Sequence, residues 1–554
     1  MQSCCRGLNL LARNDVATQP AFMLRLSSAI FSRRALRRLL VLVLPALLLF
    51  PSVMPGEPDA SLSRALDSVE ERIRLVEFDN GLRLILIRND FAPVVACHMK
   101  FRAGSADESD RTSGIAHMLE HMLFKGTPRV GTRDWQKEEK YLRVLVSWMD
   151  KLDRWRRIEE EARAAGDDER VAEAQQNIRT WRVRLDRLNA MARQFVLTDQ
   201  DSMLYSSNGA RGYNAYTTAD LTNYQVQLPV NRIEVWARLE SDRMQNSVLR
   251  DFYTERYVVA EERRMRVEND ARRALLEKFL IEAYGEHPYG RPVIGPMQSI
   301  QYLNYNMAMD FYHTYYAPNN AVIALAGDID FDETEAMVRR YFAGMEPRRI
   351  HRQRNIAEPV GRRLDVSLEQ RGSPIFFMAW FKPVMPDPRD LYLEILGEIL
   401  AGGQHGRLYR RLVQDEGIAA NVNIYSAFPG QRFTNMFIIQ VEPSPDGTYE
   451  QIQASLLDEI AKVRTDGVTE AELERVRTTM RTDFIYRLRS NDYLADTLSY
   501  FDALTGDYRI LFEFNRKLDT VTTQDIEQAA AEFLVENRTM TARLLPTAST
   551  ENQP

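Results

Sequence analysis

The sequence predicts an α+β protein made of two similar halves. Strand-like alternation begins near Ile73, and beyond it helical and strand-like segments mix without a regular strand–helix–strand cadence, which favours α+β over a doubly wound sheet. A polar stretch without apolar periodicity, EPRRIHRQRNIAEPVGRR at 346–363, reads as a linker. On either side of it the chain runs from early strands through helices to a late strand, VIALAGDID at 322–330 and MTARLLP at 540–546. The expected division is a leader over 1–56, an N-terminal half over 70–345, the linker, and a C-terminal half over 364–547.

Taken in order, the first element is the leader. FSRRALRR at 31–38 precedes LLVLVLPALLLF at 39–50, a basic stretch followed by an apolar run that is short for a membrane span. It reads as a secretory signal peptide, with an N-terminal membrane anchor as the alternative, and Met23 offers a second possible start. The run is too continuous for an amphipathic, Arg-rich transit peptide, so an exported, periplasmic protein is expected. Next, VEFDNGLRLILIRND reads as two strands joined by a turn at Asn80-Gly81, and VVACHMKFRAG as a third strand.

Composition narrows the class. With 45% hydrophobic and 27% charged residues, most of the 554-residue chain is expected to be globular and soluble. A formal charge of -6 excludes a nucleic-acid binder that relies on a general basic field. Nine of the 72 basic residues are Lys, leaving 63 Arg, a skew that reflects composition more than binding. Cys4, Cys5 and Cys97 contain no C-x-x-C pair, which excludes a disulfide scaffold and a structural Cys-zinc site; with the leader removed, Cys97 stands alone.

One segment departs from the mixed pattern. Between 137 and 200 the chain is charged and helical, without strand signal. Val171, Ala174, Ile178, Trp181, Leu185, Leu188, Ala192 and Phe195 recur at three- and four-residue steps, and Leu145, Trp148, Leu152, Trp155 and Ala162 form a matching seam. With Gly166-Asp167-Asp168 as the turn, this is a coiled-coil-like helical hairpin inserted in the first half, with arms of about 40 Å at 1.5 Å per residue. It either folds along the body or projects toward a partner or a membrane.

The chemistry centres on TSGIAHMLEHMLFKGT, 112–127. Thr112 or Ser113 can cap a helix that Gly126 ends. His117 and His121 then leave one face at i and i+4, with Glu120 beside them, while Ile115, Met118, Leu119, Met122 and Leu123 form the core-facing stripe. Two imidazoles and a neighbouring carboxylate supply two zinc ligands and a base poised over a metal-activated water. A third ligand is still needed. In ERYVVAEERRMRVEND, 255–270, Glu255 and Glu262 lie two turns apart on one helical face and Glu261 points elsewhere, although rows of acids are usually solvated faces.

HMLEH with these downstream glutamates resembles the inverzincins, the pitrilysin-like M16 metallopeptidases, which include insulin-degrading enzymes and mitochondrial processing peptidases. GYNAYTTADLTNYQVQLP (212–229), LESDRM (239–244), ERYVVAEE (255–262), FYHTYYAPNNAVIALAGDID (311–330) and LGEILAGGQHGRLYRRLVQDEGIAA (396–420) are similar to family segments in family order, so the resemblance covers roughly Arg72 to Pro546. It implies two homologous halves, each an antiparallel sheet packed against helices. It also implies one Zn2+ per chain held by His117, His121 and Glu262, with Glu120 as general base and Glu255 orienting a ligand histidine. Asn214, Ala215 and Tyr216 match the edge strand that pairs with extended substrate. Of the 141 positions from His121 to Glu262, removing the 64 of 137–200 leaves 77, close to the family's roughly 75.

The resemblance therefore implies a zinc endopeptidase acting on peptides or unfolded polypeptides. The chain departs from the family at an Arg/Tyr pair of the second half that contacts substrate: aligned on Gly417, those positions are Val413 and Ala420, and Arg410, Arg411 and Tyr425 are spaced differently. This points to a catalytic subunit of a heterodimer whose M16-like partner supplies the pair. The alternatives are a non-catalytic scaffold subunit, which would normally have lost a ligand or the base, and a mitochondrial-type presequence peptidase, which the hydrophobic leader opposes.

Overall fold

The computed structural model describes residues 66–352 and 356–547, so the leader lies outside the described residues. A short helical segment at 66–70 belongs to a separate unit; everything below concerns the unit from Glu71 onward.

The first half opens with strands β1 (Ile73–Glu77), β2 (Arg83–Arg88) and β3 (Val94–Phe101). Gly81 takes the β1–β2 turn at φ +81°, and a Cβ there would meet Asn319 at 2.7 Å. Then come α1 (Ile115–Met122), α2 (Trp135–Ala165), α3 (Asp168–Ala192), β4 (Arg211–Thr217), β5 (Thr222–Pro229), α4 (Ile233–Asn246), α5 (Phe252–Arg263), α6 (Ala271–Tyr284), β6 (Ala321–Gly327) and α7 (Phe331–Phe342). The second half holds β7 (Leu364–Glu369), β8 (Phe376–Lys382), α8 (Pro388–Ala401), β9 (Ala419–Phe428), β10 (Asn435–Pro443), α9 (Tyr449–Asp466), α10 (Glu470–Arg487), α11 (Asn491–Thr505), α12 (Thr523–Phe533) and β11 (Met540–Leu545).

The two sheets repeat one topology. Their orders are β1-β2-β6-β3-β5-β4 and β7-β11-β8-β10-β9, so the second matches the first without β1. The sheets are antiparallel except for one parallel pair each, β2–β6 and β7–β11. The late strand of each half returns through a long helical connection and inserts between two early strands, β6 between β2 and β3 and β11 between β7 and β8, and such a return permits parallel pairing with one of them.

Alternation along the strands shows what each face buries. In β3, Val95, Cys97, Met99 and Phe101 enter the core with Ile115, Met118, Leu119 and Met122 of α1. In β8, Phe376, Met378 and Trp380 join α8 and α9, while Phe377 and Ala379 face the opposite way. That opposite face is covered by α6 of the first half, through Ala271, Leu275 and Phe279. Reciprocally, α11 of the second half covers the outer face of β3 and β6, where Ala324 and Ala326 leave room for a helix. The halves thus exchange a helix across each other's sheets.

α2 and α3 pack antiparallel, with Trp148 and Trp181 edge to face at 5.8 Å. Asp134 caps α2 and Asp167 caps α3. α2 lies along the body: Glu138 pairs with Arg250, Asp153 with Arg256 at 3.0 Å, and Arg156 donates to the Tyr257 hydroxyl at 2.7 Å. Among the described residues, no helix is long and apolar enough to cross a membrane.

Candidate metal centre

The helix bearing both histidines is anchored at its first turn. Gly114 sits at φ +94°, and a Cβ there would lie 2.4 Å from the Ile294 carbonyl oxygen. The expected cap by Thr112 or Ser113 is not made. Instead, the buried carboxylate of Glu108 accepts the Gly114 and Ala116 amides, both at 2.8 Å. The left-handed residue ahead of α1 removes Ser113 from the capping position, and an acid from the preceding turn satisfies the orphan amides and complements the helix dipole.

His117 and His121 leave one face of α1 with ring centroids 4.8 Å apart. α5 packs across them and presents its two glutamates. Glu262 Oε2 lies 3.2 Å from His121 Nε2 and 3.9 Å from His117 Nε2. Glu255 Oε1 is 3.0 Å from His121 Nδ1, and its other oxygen pairs with Lys125 at 2.7 Å. Glu262 Oε1 pairs with Arg266 at 2.8 Å. Glu120 Oε2 accepts from the Thr217 hydroxyl at 2.6 Å, which joins α1 to the end of β4.

The electrostatics fit a cation. Burial, and then the neighbouring His121, push His117 down to about 3, so its imidazole is neutral. Burial opposes charge on His121 too, but hydrogen bonds to Glu255 and Glu262 outweigh it and raise that ring. Burial raises Glu120. Glu262 is lowered despite burial, by His121 and His117. The Nδ1 of His117 is buried without a hydrogen-bond partner, and its Nε2 faces Glu262 beyond hydrogen-bond reach. One ligand atom each from His117, His121 and Glu262 lie within 4.8 Å of one another. Two imidazole nitrogens and one carboxylate are the donor set of a catalytic zinc with an open position.

Asn214, Ala215 and Tyr216 lie on β4, the edge of the first sheet, whose outer side has no partner strand among the described residues. The Tyr216 hydroxyl points away from the histidines, donating to Asp496 at 2.9 Å and accepting from Lys100 at 3.0 Å. Val413 packs on the second core and Ala420 is exposed. Arg411 is committed to Glu416 and Asp458, Arg410 is exposed, and Tyr425 packs toward α6. Glu108, Lys125, Thr217 and Arg266 were not singled out from sequence. Arg266 had a signal, i+4 from Glu262, but it stands in a run of charges.

Two family models match this chain: Insulinase (Peptidase family M16) over residues 83–140, and Peptidase M16 inactive domain over 302–480. The chain therefore matches M16 peptidase family models in both of its halves. Its relatives include an uncharacterised zinc protease of Mycobacterium leprae, 28% identical over 351 residues (62% of this chain, 77% of the relative). The zinc protease PqqE of Helicobacter pylori is 22% identical over 480 residues (85% and 92%). Among solved structures, a protease from Helicobacter pylori superposes with a TM-score of 0.68 at 20% identity, covering 86% of this chain and 99% of that one. The periplasmic protease PqqL from Escherichia coli gives 0.62 at 16% identity, covering 86% of this chain and 48% of that one. These likenesses match the two-sheet M16 architecture.

Proposed function

We propose that this M16 protein is a zinc-dependent endopeptidase acting on peptides or unfolded polypeptides. The observation that carries the reading is the convergence of His117, His121 and Glu262 beside Glu120 at the end of an open sheet edge. When bound, zinc would supply Lewis acidity, polarising the scissile carbonyl and lowering the pKa of a water so that loss of its proton leaves a nucleophilic oxygen. Glu255 holds the His121 ring through Nδ1, which leaves Nε2 to coordinate. Thr217 steadies one oxygen of Glu120; the other takes the attacking water's proton and passes it to the leaving amine. β4 pairs with extended substrate backbone through Asn214, Ala215 and Tyr216, so recognition is largely independent of sequence.

The departures at Val413 and Ala420 support a heterodimer in which an M16-like partner supplies the missing Arg/Tyr pair. The basic-then-apolar leader supports export to the periplasm, with a retained membrane anchor as the alternative, and cell fractionation tests it. Complete filling of both ligand and base positions counts against a scaffold subunit. The deciding experiment is cleavage of a mixed unfolded-peptide substrate by the purified mature chain, with metal content assayed alongside. One zinc per chain is expected, with chelator-sensitive cleavage in the presence of the partner. A chain that takes up no zinc overturns the peptidase reading, and full activity of the lone chain overturns the heterodimer.

A further inference from the structure

Glu262 uses its two oxygens differently: Oε2 faces both histidine Nε2 atoms, and Oε1 pairs with Arg266 at 2.8 Å. We propose that Arg266 is a positioning residue for the metal, holding Oε1 so that Glu262 coordinates through Oε2 alone; the inference rests on the zinc-site reading above.

Regular helix α5 ends at Arg263, and residues Arg264–Glu268 form a π-helical turn closed by the Asn269 amide donating to the Arg264 carbonyl at 2.8 Å. Such widened turns often occur at functional sites because they redirect side chains relative to a regular helix. The neighbouring arginines are committed elsewhere. Arg263 forks onto Glu277 and reaches the Gly295 carbonyl, and Arg264 pairs with the exposed Glu261. Arg266 is left for Glu262, and both side chains are largely shielded, at 18% and 13% exposure. A pair withdrawn from water in this way keeps its geometry better than an exposed i,i+4 pair.

The arrangement mirrors the one around His121. There Glu255 holds the ring atom that faces away from the site, and Lys125 holds Glu255 in turn. Two of the three candidate ligands therefore have their far atom held by a group of complementary charge. Without Arg266, Oε1 is released. The carboxylate can then rotate about its terminal torsion, presenting either oxygen or both to the metal. Groups that hold ligands in this way typically contribute about 10–100-fold to metal affinity.

The test measures zinc affinity by competition with a chromophoric chelator in wild type, Arg266→Ala, Arg266→Lys and His117→Ala, with the absorption spectrum of the cobalt-substituted proteins and the unfolding midpoint of the zinc-free proteins. Expected for Arg266→Ala are a roughly 10–100-fold weaker zinc affinity, an altered cobalt spectrum and an unchanged zinc-free midpoint. Arg266→Lys, which keeps the charge and one donor, should recover part of the affinity and is the informative variant if the alanine change prevents folding. Unchanged affinity and spectrum in both Arg266 variants, while His117→Ala loses the metal, overturns the positioning role alone. His117→Ala retaining wild-type affinity overturns the zinc-site reading together with it.

Discussion

The two halves share a strand order and a helix placed after the third strand of the matching set, yet they carry different chemistry there. α1 bears His117, Glu120 and His121, and α5 faces it with Glu255 and Glu262. α8 bears Asp390, Glu394 and Glu398; Asp390 is neutralised by Lys382, and Glu398 feels the charges of Asp483 and Arg475 from α10. Acids facing acids without an imidazole give no soft nitrogen donors, and among the described residues the only cluster of three or more potential ligands is in the first half. One backbone topology thus carries a cluster of potential metal ligands or none, according to a few side chains on two facing helices.

The exchanged helices differ as well. α6 meets the second sheet through apolar packing, with Leu275 and Phe279 fully buried. α11 meets the first sheet through ions: Asp492 with His98 at 3.1 Å, Asp496 with Lys100 at 2.5 Å, and Asp502 with Arg83 through two bonds of 2.7 Å. An apolar contact depends on shape and area, whereas a buried ionic one depends on both partners being present and charged.

The sharpest break of the comparison is catalytic. Glu120→Gln is expected to lower kcat by about 10²–10⁴-fold or more with zinc content unchanged. Glu394→Gln on the corresponding helix should leave kcat intact; equal losses from both would mean the halves share the chemistry. For the apolar exchange, Phe279→Ala should cost about 3–5 kcal/mol in urea unfolding and lower stability in a single transition. Separate transitions would show halves that fold independently of the exchanged helix. For the ionic exchange, Asp502→Asn removes one of the two carboxylates on Arg83, which keeps Glu77 and the Gly506 carbonyl, and should cost about 3 kcal/mol or less.

The smallest effect is a pH dependence confined to the ionic face. Burial disfavours the His98 cation, but Asp492 and Asp496 outweigh burial and the nearby Lys100, so its folded value is raised above the ordinary 6.5. A raised histidine contributes stability in full below its unfolded value, and that contribution is lost as pH rises through the folded value. Unfolding midpoints measured from pH 6 to pH 9 should therefore fall more steeply in wild type than in His98→Asn. Parallel curves would mean His98 is not charged at this interface.

Much of this was legible beforehand because it is local. The i,i+4 spacing of His117 and His121 and the apolar stripe of Ile115, Met118, Leu119 and Met122 follow from helix geometry alone. The strand pair at 73–88 and the helices at 135–192 likewise follow from two- and near-four-residue periodicities. The capping expectation failed because the residue that satisfies the α1 amides, Glu108, lies six positions before Gly114 across a turn whose path depends on Ile294 and Gly295. The lie of the hairpin was open until Asp153 met Arg256, residues 103 positions apart.

Periodicity reports which face of a segment is apolar, and covalent spacing places side chains a turn apart on one helix; both are complete within a few residues. Which surface that face will meet depends on the whole chain. Hence the histidine-bearing helix α1 could be read directly, while the exchange of α6 and α11, the hold of Thr217 on Glu120 and the choice of Arg266 as partner of Glu262 emerged only from folding. The first two join segments far apart in sequence; the third lies one helical turn apart, but among several neighbouring charges Arg266 is left for Glu262 only because Arg263 and Arg264 are committed elsewhere.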